Sequence, residues 1–271
     1  MEQFVEGLTE YQQAFLRKYP YPQLFAVISW GCAATSWVAT VLNRHPDIYC
    51  VHAANLSWHV LGNSEKLDGV PYLRIIGSQG HAHRAAGSVH GLSRLLVPEC
   101  RRSFGEAFNA AVVVREPVAR MHSQLALHQD FEDLEAWNVD YVEGILSRTG
   151  IRLAPEDYQS RLFVHAANML NAIVEEREVG KIYRCEDLTS DSEVLGGFIE
   201  EITRGKVSPD SAWLRSAIET RNVNVHASRH PQRNLDDWQM DVIRRVVNPG
   251  AWEIYESLGY ARPEFAARAA G

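Results

Sequence analysis

The stretch Leu24-Phe25-Ala26-Val27-Ile28-Ser29-Trp30-Gly31-Cys32-Ala33-Ala34-Thr35-Ser36-Trp37 runs an apolar segment through small residues into two hydroxyls and a tryptophan. Its opening lacks any apolar/polar alternation, which describes a strand buried on both faces, as in a parallel sheet. Behind it Trp37, Val38, Val41 and Leu42 recur at helical spacing, and His45-Pro46 closes that helix. A strand passing through small residues into a helix aims backbone N–H groups and the helix's positive end at one point, a natural phosphate cradle. Gly31, Cys32, Ala33 and Ala34 let a backbone approach an anion, and Thr35 and Ser36 add hydroxyl donors in the first turn. The same residues also suit a plain tight connection with Ser and Thr as caps. A Walker A loop is excluded, because the Gly-Lys-Ser/Thr ending is absent.

Outward from this stretch, short β-branched or apolar runs alternate with amphipathic ones, the pattern of an α/β fold with a central parallel sheet flanked by helices. The predicted strands are 24–29, 48–52, 73–77, 111–115 and 181–184. A longer helix is expected from Pro155 to Glu176, with Tyr158, Leu162, Ala166, Met169, Leu170 and Ile173 as its apolar stripe. The polar, Gly/Ala/His-rich segment 78–88 is expected to be a loop. No repeat, low-complexity segment or Pro/Gly/Ser-rich linker divides the 271 residues, so a single domain over 1–271 is expected.

Asp and Glu number 34 against 27 Lys and Arg, for a net charge of -7. A nucleic-acid partner or an anionic membrane surface is therefore not expected, and any bound anion must be held by a local site. The segment 1–19 mixes Glu2, Glu6, Glu10, Arg17 and Lys18 with apolar residues, unlike a signal peptide, and no later run is apolar for long enough to span a bilayer. Cys32, Cys50, Cys100 and Cys185 are scattered without paired spacing, which fits reduced thiols and a cytoplasmic location.

A second motif reads Ala111-Val112-Val113-Val114-Arg115-Glu116-Pro117-Val118-Ala119-Arg120-Met121-His122-Ser123. A buried strand ends in an arginine, a proline starts a helix, and a serine follows on that helix. An arginine at the carboxyl end of a parallel strand stands where ligands bind, with a donor fork suited to phosphate. The mundane alternative pairs Arg115 with Glu116 and packs Ser123 as a small residue.

Taken together, the two motifs resemble the sulfotransferase superfamily, which transfers a sulfuryl group from 3′-phosphoadenosine 5′-phosphosulfate (PAPS). Residues 30–37 match its loop Y-P-K-S-G-T-T-W, and Arg115, Pro117, Arg120 and Ser123 match each fixed position of R-x-P-x-x-R-x-x-S. Asn43 to Ile48, Lys181 to Leu188 and Leu258-Gly259-Tyr260 agree with weaker family features. The resemblance implies a three-layer P-loop-like fold and PAPS as co-substrate, with no metal. It also implies that Gly31, Cys32, Ala33, Ala34, Thr35, Ser36 and Trp37 hold the 5′-phosphosulfate and that Arg115 and Ser123 hold the 3′-phosphate.

Cys32 departs from that pattern by occupying the place of the family's lysine or arginine, and Ala33-Ala34 replace serine-glycine. Charge builds on the oxygen bridging sulfur to the 5′-phosphate, so a cation there lowers the barrier. Arg44, Arg74, Arg84, Arg101, Arg229 and Arg233 are candidates to supply one, and Arg229 to Arg233 also resembles the family's C-terminal phosphate-binding segment.

Attack by an acceptor is helped by a base, and histidine suits neutral pH. His52, at the end of the second predicted strand, is the first choice. His81 and His83 are alternatives because they follow the predicted third strand, where other family members carry a histidine. The acceptor is expected to be a small hydroxylated molecule or a saccharide, recognised by segments 55–64, 78–93 and 131–154. No feature of the sequence selects one acceptor or an oligomeric state. Two other function classes share these motifs: a sulfotransferase-like nucleotide-binding protein without catalysis, and an atypical P-loop kinase.

Overall fold

The computed structural model describes residues 21–29, 33–52, 69–128, 136–220 and 235–263. They fall into two compact units, one from Met1–Val114 and Glu176–Asn224, the other from Arg115–Glu175 and Val225–Gly271. The strands are β1 (Gln23–Ile28), β2 (Ile48–His52), β3 (Ala85–Val89), β4 (Phe108–Val114) and β5 (Ile182–Arg184). The main helices are α1 (Thr35–Asn43), α2 (Gly69–Gln79), α3 (Val97–Phe104), α4 (Pro117–His128), α5 (Ala136–Thr149), α6 (Tyr158–Asn168), α7 (Ser192–Ile202), α8 (Ser211–Ile218), α9 (Asp237–Val246) and α10 (Pro249–Ser257).

In the first unit all five strands are parallel, in the order β2-β3-β1-β4-β5. Every residue of β1 is buried, as its unbroken apolar run requires of a central strand. Side chains alternate between two covered faces. Phe25, Val27, Cys50, Val89, Val113 and Tyr183 pack with α1, α7 and α8, while α2 and α3 lie against the other face, where Tyr72 donates to Ser88 Oγ at 3.1 Å. The unit is therefore α/β, with helices on both sides of a parallel sheet. No helix among the described residues is long and apolar enough to cross a membrane.

Two expectations are overturned here. Residues 73–77 are helical, inside α2, where buried Val70, Leu73 and Gly77, with Tyr72 and Ile76, follow the 3.6-residue period of a helix. The third strand lies instead within 78–88, the presumed loop, and extends to Val89. Ala85, Ala86, Gly87 and Ser88 have weak strand propensity, yet the whole strand is buried between β1 and β2. Close packing selects those small residues: a Cβ on Gly87 would lie 2.3 Å from the Phe25 carbonyl oxygen. The other strand expectations hold to within a few residues, and β4 starts earlier, at Phe108.

In the second unit α4, α5 and α9 pack around α6. The helix expected from Pro155 begins at Tyr158, where the Asp157 carboxylate accepts from the Ser160 N–H, and tightens to a 3-10 turn over Met169–Ala172. Leu162, Ala166, Met169, Leu170 and Ile173 are buried as the stripe requires, whereas Tyr158 is exposed. Much of 131–154, expected as a recognition loop, is the helix α5. Segment 55–64 lies outside the described residues.

Candidate functional site

Parallel strands place all their carboxyl ends along one edge, where the loops of an open α/β sheet bind ligands. In the first unit that edge carries Ser29 after β1, the turn Ala33-Ala34 leading into α1, His52 ending β2 and His90 following β3. Ala34 adopts the left-handed conformation, φ 54, and provides no side-chain cap to α1. Glycine fits such a position without strain, and alanine there costs about 1 kcal/mol. Thr35, the first residue of α1, is buried, and its Oγ1 lies 3.1 Å from His52 Nε2. Ser36 is half-buried, while Trp37 is buried and donates its indole N–H to the Thr220 carbonyl at 3.0 Å.

His90 is the residue the sequence reasoning missed. Its ring centroid is 6.0 Å from that of His52, and its Nδ1 is hydrogen-bonded to the Ser29 carbonyl. A carbonyl only accepts, so Nδ1 carries the proton and the neutral ring keeps its lone pair on Nε2. Burial, and after it the neighbouring His90, hold the His52 imidazole below its ordinary pKa. His81 and His83 were named because the third strand was expected at 73–77; with β3 at Ala85–Val89, the histidine that follows it is His90. His81 and His83 precede β3, at the amino edge of the sheet: His81 bonds the Ser78 carbonyl at 2.9 Å, and His83 packs near the Tyr49 ring.

In the second unit Arg115 donates from Nη1 to Ser123 Oγ at 2.7 Å. Eight residues separate the two, and the first turns of α4 bring them together. The carboxylate of Glu116 accepts from the Val118 and Ala119 N–H groups, filling donors that an α-helix leaves open at its start. Arg120 is buried.

Gly31, Cys32, Arg229 and Arg233 lie outside the described residues. The other candidate cations gather at or near the amino edge of the first unit's sheet. Arg44, the C-cap of α1, donates to Thr220 Oγ1; Arg84 pairs with Asp47; Arg101 donates to the Val179 carbonyl; and the Arg74 carbonyl receives the Tyr21 hydroxyl. None of these contacts involves His52 or His90. A polar hollow of about 440 Å³ is lined by Asn109, Gly197, Glu200, Glu201 and Arg204. Asn109 puts it near the start of β4, and its two carboxylates disfavour a polyanionic ligand. Among the described residues no group of His, Cys, Asp or Glu is arranged to hold a metal ion.

No family model and no curated protein matches the chain. Solved structures similar to it include a sulfotransferase from Alicyclobacillus acidocaldarius, at 15% identity over 89% of this chain and 97% of that one, with a TM-score of 0.45. The sulfotransferase domain of the Synechococcus PCC 7002 olefin synthase gives 15% identity over 90% and 96%, also at 0.45. Mouse sulfotransferase SULT7A1, solved with PAP (3′-phosphoadenosine 5′-phosphate), gives 16% identity over 92% and 88%, at 0.44. All three are named as sulfotransferases.

Proposed function

We propose that the chain transfers a sulfuryl group from PAPS to a hydroxyl or amine of a small-molecule or saccharide acceptor. The observation that carries this reading is the Arg115–Ser123 hydrogen bond. It converges a guanidinium fork and a hydroxyl on one point directly after a buried strand, a donor set suited to a terminal phosphate. In this reading Arg115 and Ser123 hold the 3′-phosphate, and the turn through Gly31 to Ala34, with Thr35, Ser36 and Trp37, holds the 5′-phosphosulfate. A histidine takes the acceptor's proton as its oxygen attacks sulfur and the bond from sulfur to the 5′-phosphate oxygen breaks, releasing PAP. His52 and His90 are both at hand, and the tautomer set by Ser29 presents His90 Nε2 as the basic nitrogen. The protein's work is positioning and charge stabilisation, not covalent chemistry. The buried thiols of Cys50, Cys100 and Cys185 form no disulfide among the described residues, which suits a reducing cytoplasm.

The test is incubation with PAPS and a panel of phenols, aliphatic alcohols, amines and saccharides, following sulfated product and PAP together. Product that depends on Arg115 and His90 supports the reading. PAP binding without transfer to any acceptor would make this a nucleotide-binding protein. Magnesium-dependent ATP binding indifferent to a 3′-phosphate would make it a kinase-like one.

A further inference from the structure

The histidine pair supports a division of labour that rests on the sulfotransferase reading. The Thr35 hydroxyl has one proton to direct, and His52 Nε2, 3.1 Å away, is positioned to decide its direction. A neutral ring with its lone pair on Nε2 draws that proton to itself, so the threonine turns an oxygen lone pair toward an anion at the start of α1. In a charged ring Nε2 only donates, and the hydroxyl proton is then released toward the anion. With His90 as base, His52 is left for this second task. The ring's position against the first residue of α1 also puts a positive charge at the start of that helix, and residues 30–37 include no lysine or arginine to supply one.

We propose that His52 is a positioning residue for the donor: binding of the 5′-phosphate group beside Thr35 takes up one proton from solvent on His52, which turns the Thr35 hydroxyl toward the anion and supplies the missing cation.

The surroundings agree. β1 and α1 carry no ionisable side chain. β3 is followed by His90. α2 carries the exposed Arg74, and Tyr72, whose hydroxyl is bonded to Ser88. On β2 itself Tyr49 is bonded to Gln79, and burial raises the Cys50 thiol far above its usual range. Among the described residues, His90 is thus the titratable neighbour that bears on His52. The lowered pKa of His52 keeps it neutral near pH 7 before the anion arrives, and the anion's charge then favours the protonated ring.

The experiment is calorimetric binding of PAP between pH 7 and 8.5, in buffers of differing ionisation enthalpy that count protons, for wild type, His52→Gln and His90→Gln. Wild type is expected to take up close to one proton more than His52→Gln, with a Kd that weakens about tenfold per pH unit. His90→Gln should retain the uptake. Equal uptake in wild type and His52→Gln, or loss of uptake only in His90→Gln, overturns the inference while Arg115-dependent PAP binding leaves the sulfotransferase reading standing. A folded wild type that binds no PAP overturns both. Should His52→Gln not fold, the wild-type His52 ring signal, assigned through its proximity to the Thr35 methyl, gives the same answer at pH 7.5: a shift to the charged form on adding PAP supports the inference, and an unchanged neutral ring refutes it.

Discussion

Helix α4 begins with its first amides occupied by the Glu116 carboxylate, and the arginine before it is tied to Ser123 by a charged hydrogen bond. Helix α1 begins from a left-handed alanine that offers no side-chain cap, and its first residue is hydrogen-bonded to His52, one of a pair of neighbouring histidines. The first region is charged and locally built; the second is neutral and assembled from three strands. An arginine pairs with phosphate at any pH in the working range. A turn that leans on histidine is sensitive to protons.

The largest expected effect concerns the charged region. Arg115→Ala should weaken PAP binding about a hundredfold, the loss of a charged hydrogen-bonding partner, with AMP binding changed far less. Ser123→Ala should cost about tenfold or less. Equal losses for PAP and AMP would show that Arg115 does not attend a 3′-phosphate.

Next, the two helix starts should respond in opposite directions in denaturant titrations. Glu116→Ala removes a cap and should destabilise by about 1 kcal/mol. Ala34→Gly relieves a left-handed alanine and should stabilise by about 0.5–1 kcal/mol. A destabilising Ala34→Gly would mean that the turn gains from its methyl groups more than it loses to strain.

The smallest effect is a pH dependence of stability. Burial lowers the pKa of both His45 and His52. Each therefore binds protons more readily in the unfolded chain, so their contribution is fully present above about pH 6.5 and declines as pH falls through the lowered folded values. The urea midpoint should drop from pH 8 to pH 5, less so in His45→Gln. A midpoint that rose on acidification would contradict the assignment.

How legible each region was follows from its construction. Arg115 and Ser123 stand eight residues apart on one strand-to-helix junction, so the resemblance to R-x-P-x-x-R-x-x-S named both without any long-range contact. β1 was legible because an unbroken apolar run has few other uses. β3 was hidden because Ala85 to Ser88 are small for packing reasons that only β1 and β2 on either side reveal. Its loss carried His90 with it, since that residue's place depends on where the third strand ends. Thr35 and His52 were each visible, but their hydrogen bond joins different elements and emerges only once α1 packs on β2.

The most direct measurement is calorimetric titration of the wild type and Arg115→Ala with PAP, using AMP as the ligand that lacks the 3′-phosphate. The expected result is tight binding that requires both Arg115 and the 3′-phosphate. A folded wild type that binds neither nucleotide, or binds both equally and without regard to Arg115, would contradict the sulfotransferase assignment.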